Sequence, residues 1–387
     1  MTEQFFSSCP RGLEQLLVDE LTELGASDVT AGDSGVSFRG DFTVCYRVNL
    51  NSRIAGRVLW QVEKAPYRNE DEVYKAALAL PWADWFDVSN TIAVSVNARK
   101  CPLKSLEFIT LRIKDAVCDH FRSRVGSRPN VDTREPNVRI FAFLEEATAT
   151  FYVDTSGEAL FKRGQRPASV DAPLKENLAA GILRMTGWKP GQPLLDPMCG
   201  GGTFLIEAAQ ISLDMAPGLG RRFGFERLRG FQADTWKTLK DEAEARRQAP
   251  RRLPIFGSDM YGNELKMARI NAAHLGLEEA IEFKQVNVLE VNPPTSEGVW
   301  IVNPPYGVRI GEQEELANLY PKLGDVLKQR FAGWIAYFFT ADLRLAKLIR
   351  LQASKRTPLY NGALECRLFE YRMVPGSARK TKSEGAS

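Results

Sequence analysis

Apolar residues recur at helical spacing between Arg11 and Leu24, with Leu13, Leu16, Leu17, Leu21 and Leu24 on one face and Gly25 as the stop. Val29 to Phe38 reads as a hairpin turned by Gly32-Asp33-Ser34-Gly35. Phe42–Asn49 reads as a helix and Ile54–Val62 as a strand. After the break at Pro66, Asn69–Leu80 is helical, Pro81–Phe86 is an aromatic loop, and the alternating run Thr91–Ala98 is a strand. A long helix over Ser105–Arg124 places Leu106, Ile109, Ile113, Ala116, Val117 and Phe121 in an apolar stripe. Val138–Leu144 and Ala147–Asp154 pair as a hairpin. This half is α+β in pattern and carries no catalytic constellation.

From Leu174 the rhythm changes to short, wholly apolar runs separated by amphipathic segments. Strands are expected at Leu194–Leu195, Ile255–Asp259, Ile281–Val286, Val299–Val302 and Trp334–Phe339. Helices lie between them, and residues 354–374 form a terminal antiparallel pair. Alternation of this kind predicts a doubly wound parallel sheet. Pro217–Arg252 interrupts it as a long basic insertion with Phe223, Phe225, Phe231 and Trp236, and the tail after Pro375 is expected to be disordered.

Composition is that of an ordinary globular protein, and no apolar run approaches the roughly 18 residues needed to span a bilayer. The start is neither basic nor followed by a signal-type apolar core, so a cytoplasmic location is expected. Six cysteines without a CxxC pair and only two histidines leave no zinc pattern and no histidine-based triad, so no metal is expected. Net charge is only +3, yet residues 97–134 carry nine basic against four acidic residues and 219–252 ten against five. Two basic regions in a nearly neutral chain suit a polyanion. Trp82 and Trp85 read as packing aromatics rather than base-stacking platforms, and His120 as an exposed or half-buried helix residue.

The chemistry concentrates in Leu194-Leu195-Asp196-Pro197-Met198-Cys199-Gly200-Gly201-Gly202-Thr203. A strand ends in an acid, glycines turn the chain, and a helix begins, which is where open α/β sheets bind nucleotide-like ligands. No lysine precedes Thr203, which disfavours a Walker phosphate loop. Leu205 occupies the last glycine position of a dinucleotide fingerprint, which disfavours NAD(P). Asp196 suits a ligand's ammonium and Asp259, at the next strand's tip, a ribose diol. S-adenosylmethionine has both. Asn303-Pro304-Pro305-Tyr306 then ends the fourth strand. The Asn303 side-chain oxygen and the Pro304 carbonyl can accept both hydrogens of a planar exocyclic amine, localising its lone pair toward a methyl sulfonium. Tyr306 can stack on the base.

Residues 65–160 resemble a THUMP domain, an RNA-binding module usually preceded by a ferredoxin-like segment. That likeness makes Lys100, Lys104, Arg112, Lys114, Arg122, Arg124 and Arg128 candidate phosphate contacts. Residues 160–375 resemble class I S-adenosylmethionine-dependent methyltransferases of amino nitrogens. The whole resembles the 23S rRNA guanine-N2 methyltransferases. The resemblance implies an α/β Rossmann-like doubly wound sheet preceded by an α+β ferredoxin-like/THUMP region. It divides the chain into 1–64, 65–160, 161–375 and a tail, 376–387. Lys175 and Glu176 would lie near the methionine end, with Asp196, Pro197, Gly200 and Gly202 around the cofactor and Asp259 on the ribose. Asn287 stands where many relatives carry an aspartate for the adenine amine. Asn303, Pro304 and Tyr306 would serve catalysis. Some rRNA relatives carry a second methyltransferase half, and this chain is expected to act with one site. Expected partners are 23S rRNA or a pre-50S particle, with no membrane, and the protein is expected to be a monomer. A tRNA guanine-N2 methyltransferase fits the same motifs. A DNA adenine methyltransferase fits the first half less well, and a non-catalytic ribosome-assembly factor would not need Asp196, Asp259 and Asn303.

Overall fold

A computed structural model describes residues 2–163, 174–305 and 312–374 and divides into two compact units, 1–164 with 216–246 and 165–215 with 247–387. In the first, strands β1 (Glu3–Ser8), β2 (Ser27–Gly32), β3 (Gly35–Gly40), β4 (Arg57–Pro66), β5 (Ile92–Ala98), β6 (Val138–Leu144) and β7 (Thr148–Asp154) form one sheet in the order β2-β3-β1-β4-β7-β6-β5. Its helices are α1 (Glu14–Glu23), α2 (Phe42–Asn51), α3 (Glu70–Ala79), α4 (Trp82–Trp85) and α5 (Leu106–Val125). The segment expected to be an aromatic loop thus contains the short helix α4. Trp82 is wholly buried, and its indole nitrogen donates to the Ala77 carbonyl at 2.7 Å. Helix α5 begins where the Ser105 hydroxyl accepts from Phe108 N–H and ends at Gly126, whose φ of 76° is left-handed. Ile109, Ile113, Ala116, Val117 and Phe121 are buried as the spacing predicts, but Leu106 is 38% exposed because the stripe has not yet turned inward at the first turn.

The second unit holds α6 (Glu176–Thr186), β8 (Leu194–Asp196) and α7 (Thr203–Ser212). Beyond the insertion, with its helix α8 (Ala233–Arg246), come β9 (Ile255–Asp259), α9 (Gly262–His274), β10 (Glu282–Gln285) and β11 (Gly298–Val302). It closes with α10 (Glu312–Arg330), β12 (Trp334–Thr340), α11 (Leu345–Leu348), β13 (Lys355–Asn361) and β14 (Leu364–Arg372). The strand order is β10-β9-β8-β11-β12-β14-β13, parallel from β10 to β12 and antiparallel at β14 and β13. The central strands are buried on both faces, which is why they read as unbroken apolar runs. One face packs Trp300, Val302 and Phe338 against Tyr320, Leu323, Leu327 and Phe331.

Residues 217–246 of the insertion group with the first unit. Phe223, Phe225, Phe231 and Trp236 gather around Tyr46 and one another, with ring centroids from 4.4 Å. Arg221 donates to the carbonyls of Ala159, Ser156 and Glu158. Phe225 N–H donates to the Thr155 carbonyl at 2.9 Å. Its aromatics are therefore a core, and one of its arginines serves the fold.

Candidate active site

The parallel strands bring their ends to one edge in a fixed sequence. Leu195 on β8 is level with Trp300 on β11, and Asp196 is level with Gly257 on β9. Asp196, Asp259 and Asn303 therefore leave three neighbouring strands at the carboxyl edge, with Asn287 following β10 one strand further out. The chain turns there because Gly200 (φ 49°) and Gly202 (φ 81°) adopt left-handed backbone. A methyl group at Gly202 would lie 3.3 Å from Ala268 of α9, so this bend also needs the missing side chain for packing.

Asp259 ties the bend to its own strand. Its Oδ2 accepts from Gly200 N–H and its Oδ1 from Tyr261 N–H, each at 3.0 Å. An ionised carboxylate has about four lone-pair sites, so two remain for hydroxyl donors. Asp196 is 2% exposed and accepts only from Met198 N–H at 3.2 Å, and no cation among the described residues pairs with it. Burial, reinforced by the Asp259 charge, pushes its carboxyl well above the usual range. A buried acid in that state fits a ligand ammonium, which would restore its charge. Affinity for an amino-bearing ligand is therefore expected to rise as pH climbs through the raised value, with proton release on binding below it. Calorimetry in buffers of different ionisation enthalpy checks this; binding without proton release would remove Asp196 from the ammonium's place.

Asn303 is partly exposed, but its Oδ1 is buried and accepts no hydrogen bond from any described residue. A buried amide oxygen without a donor is costly and suits an acceptor held for a ligand. Pro304 beside it is buried, whereas Tyr306 lies outside the described residues. Asn287 spends one lone pair of Oδ1 on Leu289 N–H at 2.9 Å, leaving one for a ligand donor. Lys175 and Glu176 stand at the start of α6, which packs on α7, and Pro197 is buried between Asp196 and Met198.

Sequence reasoning missed Asn271 on α9. It is 1% exposed and its Nδ2 donates to the Gly201 carbonyl at 3.1 Å, bracing the glycine bend from outside. The available signal was a polar residue within the buried stripe Leu265–Ala268–Ala272. In the first unit, Arg112 pairs with Asp71 and lies over the Tyr74 ring, Lys114 pairs with Asp115, Arg122 with Asp119 and Arg124 with Asp84. Lys100, Lys104 and Arg128 are exposed and form no ion pair among the described residues.

Comparison with known proteins converges on this sheet. Residues 163–370 match the RMKL-like methyltransferase domain family, 67–154 the THUMP domain and 4–59 the RlmL ferredoxin-like domain. The chain belongs to the RMKL-like methyltransferase family. The ribosomal RNA large subunit methyltransferase K/L of Syntrophotalea carbinolica is 42% identical over 95% of this chain. The chain spans about half that relative's length (53%). A protein of Synechocystis sp., provisionally named an RNA methyltransferase, is 39% identical over 96% of this chain and 97% of its own length. Among solved structures, a provisionally assigned methyltransferase in complex with SAH aligns with a TM-score of 0.87 at 30% identity, over 96% of this chain and 98% of its own. The three matches together account for both halves: a ferredoxin-like and THUMP region, and a methyltransferase sheet whose glycine bend and Asn-Pro-Pro turn share an edge. Among the described residues no group of three or more His, Cys, Asp or Glu could hold a metal, and no helix is long and apolar enough to cross a membrane.

Proposed function

We propose that this chain transfers a methyl group from S-adenosylmethionine to the exocyclic N2 of a guanine in 23S rRNA, free or within a pre-50S particle. The observation that carries the reading is the Asn303 oxygen, which has no partner among the described residues, following the strand next to the buried Asp196, which pairs with no described cation. The cofactor supplies an electrophilic methyl on a sulfonium. Asp196 would hold its ammonium, Asp259 its ribose hydroxyls and Asn287 its adenine amine, with Lys175 and Glu176 near the methionine end. Asn303 Oδ1 and the Pro304 carbonyl would accept the two hydrogens of the guanine amine, freeing its lone pair from the ring to attack the methyl carbon; the methyl–sulfur bond would break to leave S-adenosylhomocysteine, and the nitrogen would release one proton to solvent. Tyr306 would cover the flipped base. Phosphate contacts fall first to Lys100, Lys104 and Arg128, because the other four candidates are already paired with acids.

The division into 1–64, 65–160, 161–375 and 376–387, the single-copy state and a cytoplasmic location belong to the same proposal. The name of the Syntrophotalea relative and the THUMP match favour rRNA over DNA. Incubation of the protein with labelled S-adenosylmethionine and deproteinised 23S rRNA, followed by nucleoside analysis, tests it. N2-methylguanosine is the expected product. Methylated adenosine, or transfer confined to tRNA, would replace the substrate assigned here.

A further inference from the structure

The methyltransferase unit carries cations that the proposed chemistry has not used. Between β12 and β13 the sequence Asp342-Leu343-Arg344-Leu345-Ala346-Lys347-Leu348-Ile349-Arg350 contains three basic residues and a single acid. Arg344, Lys347 and Arg350 recur every third residue and are all exposed, while Leu345 and Ile349 are fully buried. Lys347 lies on α11 itself, Arg344 caps its start, and Arg350 follows its end in left-handed backbone.

Its position is fixed from three directions. Asp342, whose side chain is only 6% exposed, binds the Arg344 guanidinium in bidentate fashion, with Nε to Oδ1 and Nη2 to Oδ2 both 2.8 Å. Asp342 N–H in turn donates to the Thr340 hydroxyl at 3.0 Å, which locks the turn to the end of β12. On the other side a methyl group at Gly324 of α10 would lie 2.0 Å from the Ile349 carbonyl oxygen, so α10 and the end of α11 touch backbone to side-chain-free backbone.

The stripe stands at the carboxyl edge. β11 and β12 run parallel with Val302 level with Phe338, so the chain leaves β12 at Thr340 beside the Asn303-Pro304 turn. Lys347 and Arg350, on the segment that follows the strand adjoining that turn, suit a nucleotide's flanking phosphates, which must be held while its base is turned out.

We propose that Lys347 and Arg350, held in place by the Arg344–Asp342 ion pair, form a phosphate-binding stripe that grips the RNA backbone next to the target nucleotide. The inference rests on the proposed RNA methylation and adds a second grip on the methyltransferase unit, apart from the THUMP domain. Lys347 and Arg350 are the positions to change, because Arg344 must stay to keep Asp342 paired. Filter binding of deproteinised 23S rRNA is measured against potassium chloride for the wild type, Lys347→Gln, and Lys347→Ala/Arg350→Ala. Each lost contact to single-stranded RNA is expected to reduce the slope of log K against log salt by about 0.7, so about 1.4 for the double variant, or roughly 25-fold in affinity at 0.1 M salt. Cofactor affinity and melting temperature are expected to match the wild type. Slopes and affinities equal to the wild type's would overturn the stripe. So would unchanged rRNA binding with lost binding to a ribosomal particle, since the partner would then be protein. A wild-type protein that methylates no RNA would instead overturn the proposed function.

Discussion

Asn303→Ala is expected to lower kcat for methyl transfer by at least about 10²–10³-fold, the scale set by removing one hydrogen-bonding group that acts on charge developing in a transition state. The Kd for S-adenosylmethionine should stay within a few fold of the wild type. Asn303 leaves β11 beside Asp196, but the Asp196 and Asp259 carboxylates and the glycine bend they hold are built from β8, β9 and α9. Removing the amide therefore takes away the acceptor for the amine without touching that cradle. Equal losses in cofactor binding and turnover would show Asn303 to be part of the cofactor's own site. Unchanged kcat would remove it from the chemistry.

Asp259→Ala should show the opposite division: Kd for the cofactor rises by about 10- to 150-fold, corresponding to one charge-assisted hydrogen bond of roughly 1.5–3 kcal/mol. Two losses combine in this variant. The ribose loses its acceptor, and Gly200 N–H loses the carboxylate that holds the bend in place. Asp259→Asn keeps an acceptor for Gly200 but not the negative charge, so an intermediate Kd separates the two contributions. If both variants bind the cofactor like the wild type, Asp259 serves only the loop.

Much of this site could be read in the sequence because its key residues act where local order and sheet order coincide. A parallel strand that ends in an acid and three glycines places its ligand edge by itself, and Leu194 to Thr203 folds as that pattern predicts. Asn303 and Asp196 lie more than one hundred residues apart, yet the parallel alternation alone brought their strands to one sheet. Contacts made between elements were another matter. No local signal says that Arg112 meets Asp71 across two helices, or that Arg221 caps the carbonyls of Ser156, Glu158 and Ala159. Asn271 was hidden for the same reason, since its partner is a backbone carbonyl seventy residues earlier. The helix within the insertion was missed because its buried stripe is short, Trp236, Leu239 and Ala243, amid charged residues, and its aromatics find their partner Tyr46 far away in sequence.

A crystal structure of the protein with S-adenosylhomocysteine and a guanosine nucleotide tests the shared edge most directly. The ligand's ammonium is expected against Asp196, its ribose hydroxyls on Asp259, and the guanine N2 within hydrogen-bonding distance of Asn303 Oδ1 on the side where the sulfur lies. A homocysteine moiety bound away from Asp196, or a guanine whose amine points away from Asn303, would contradict it.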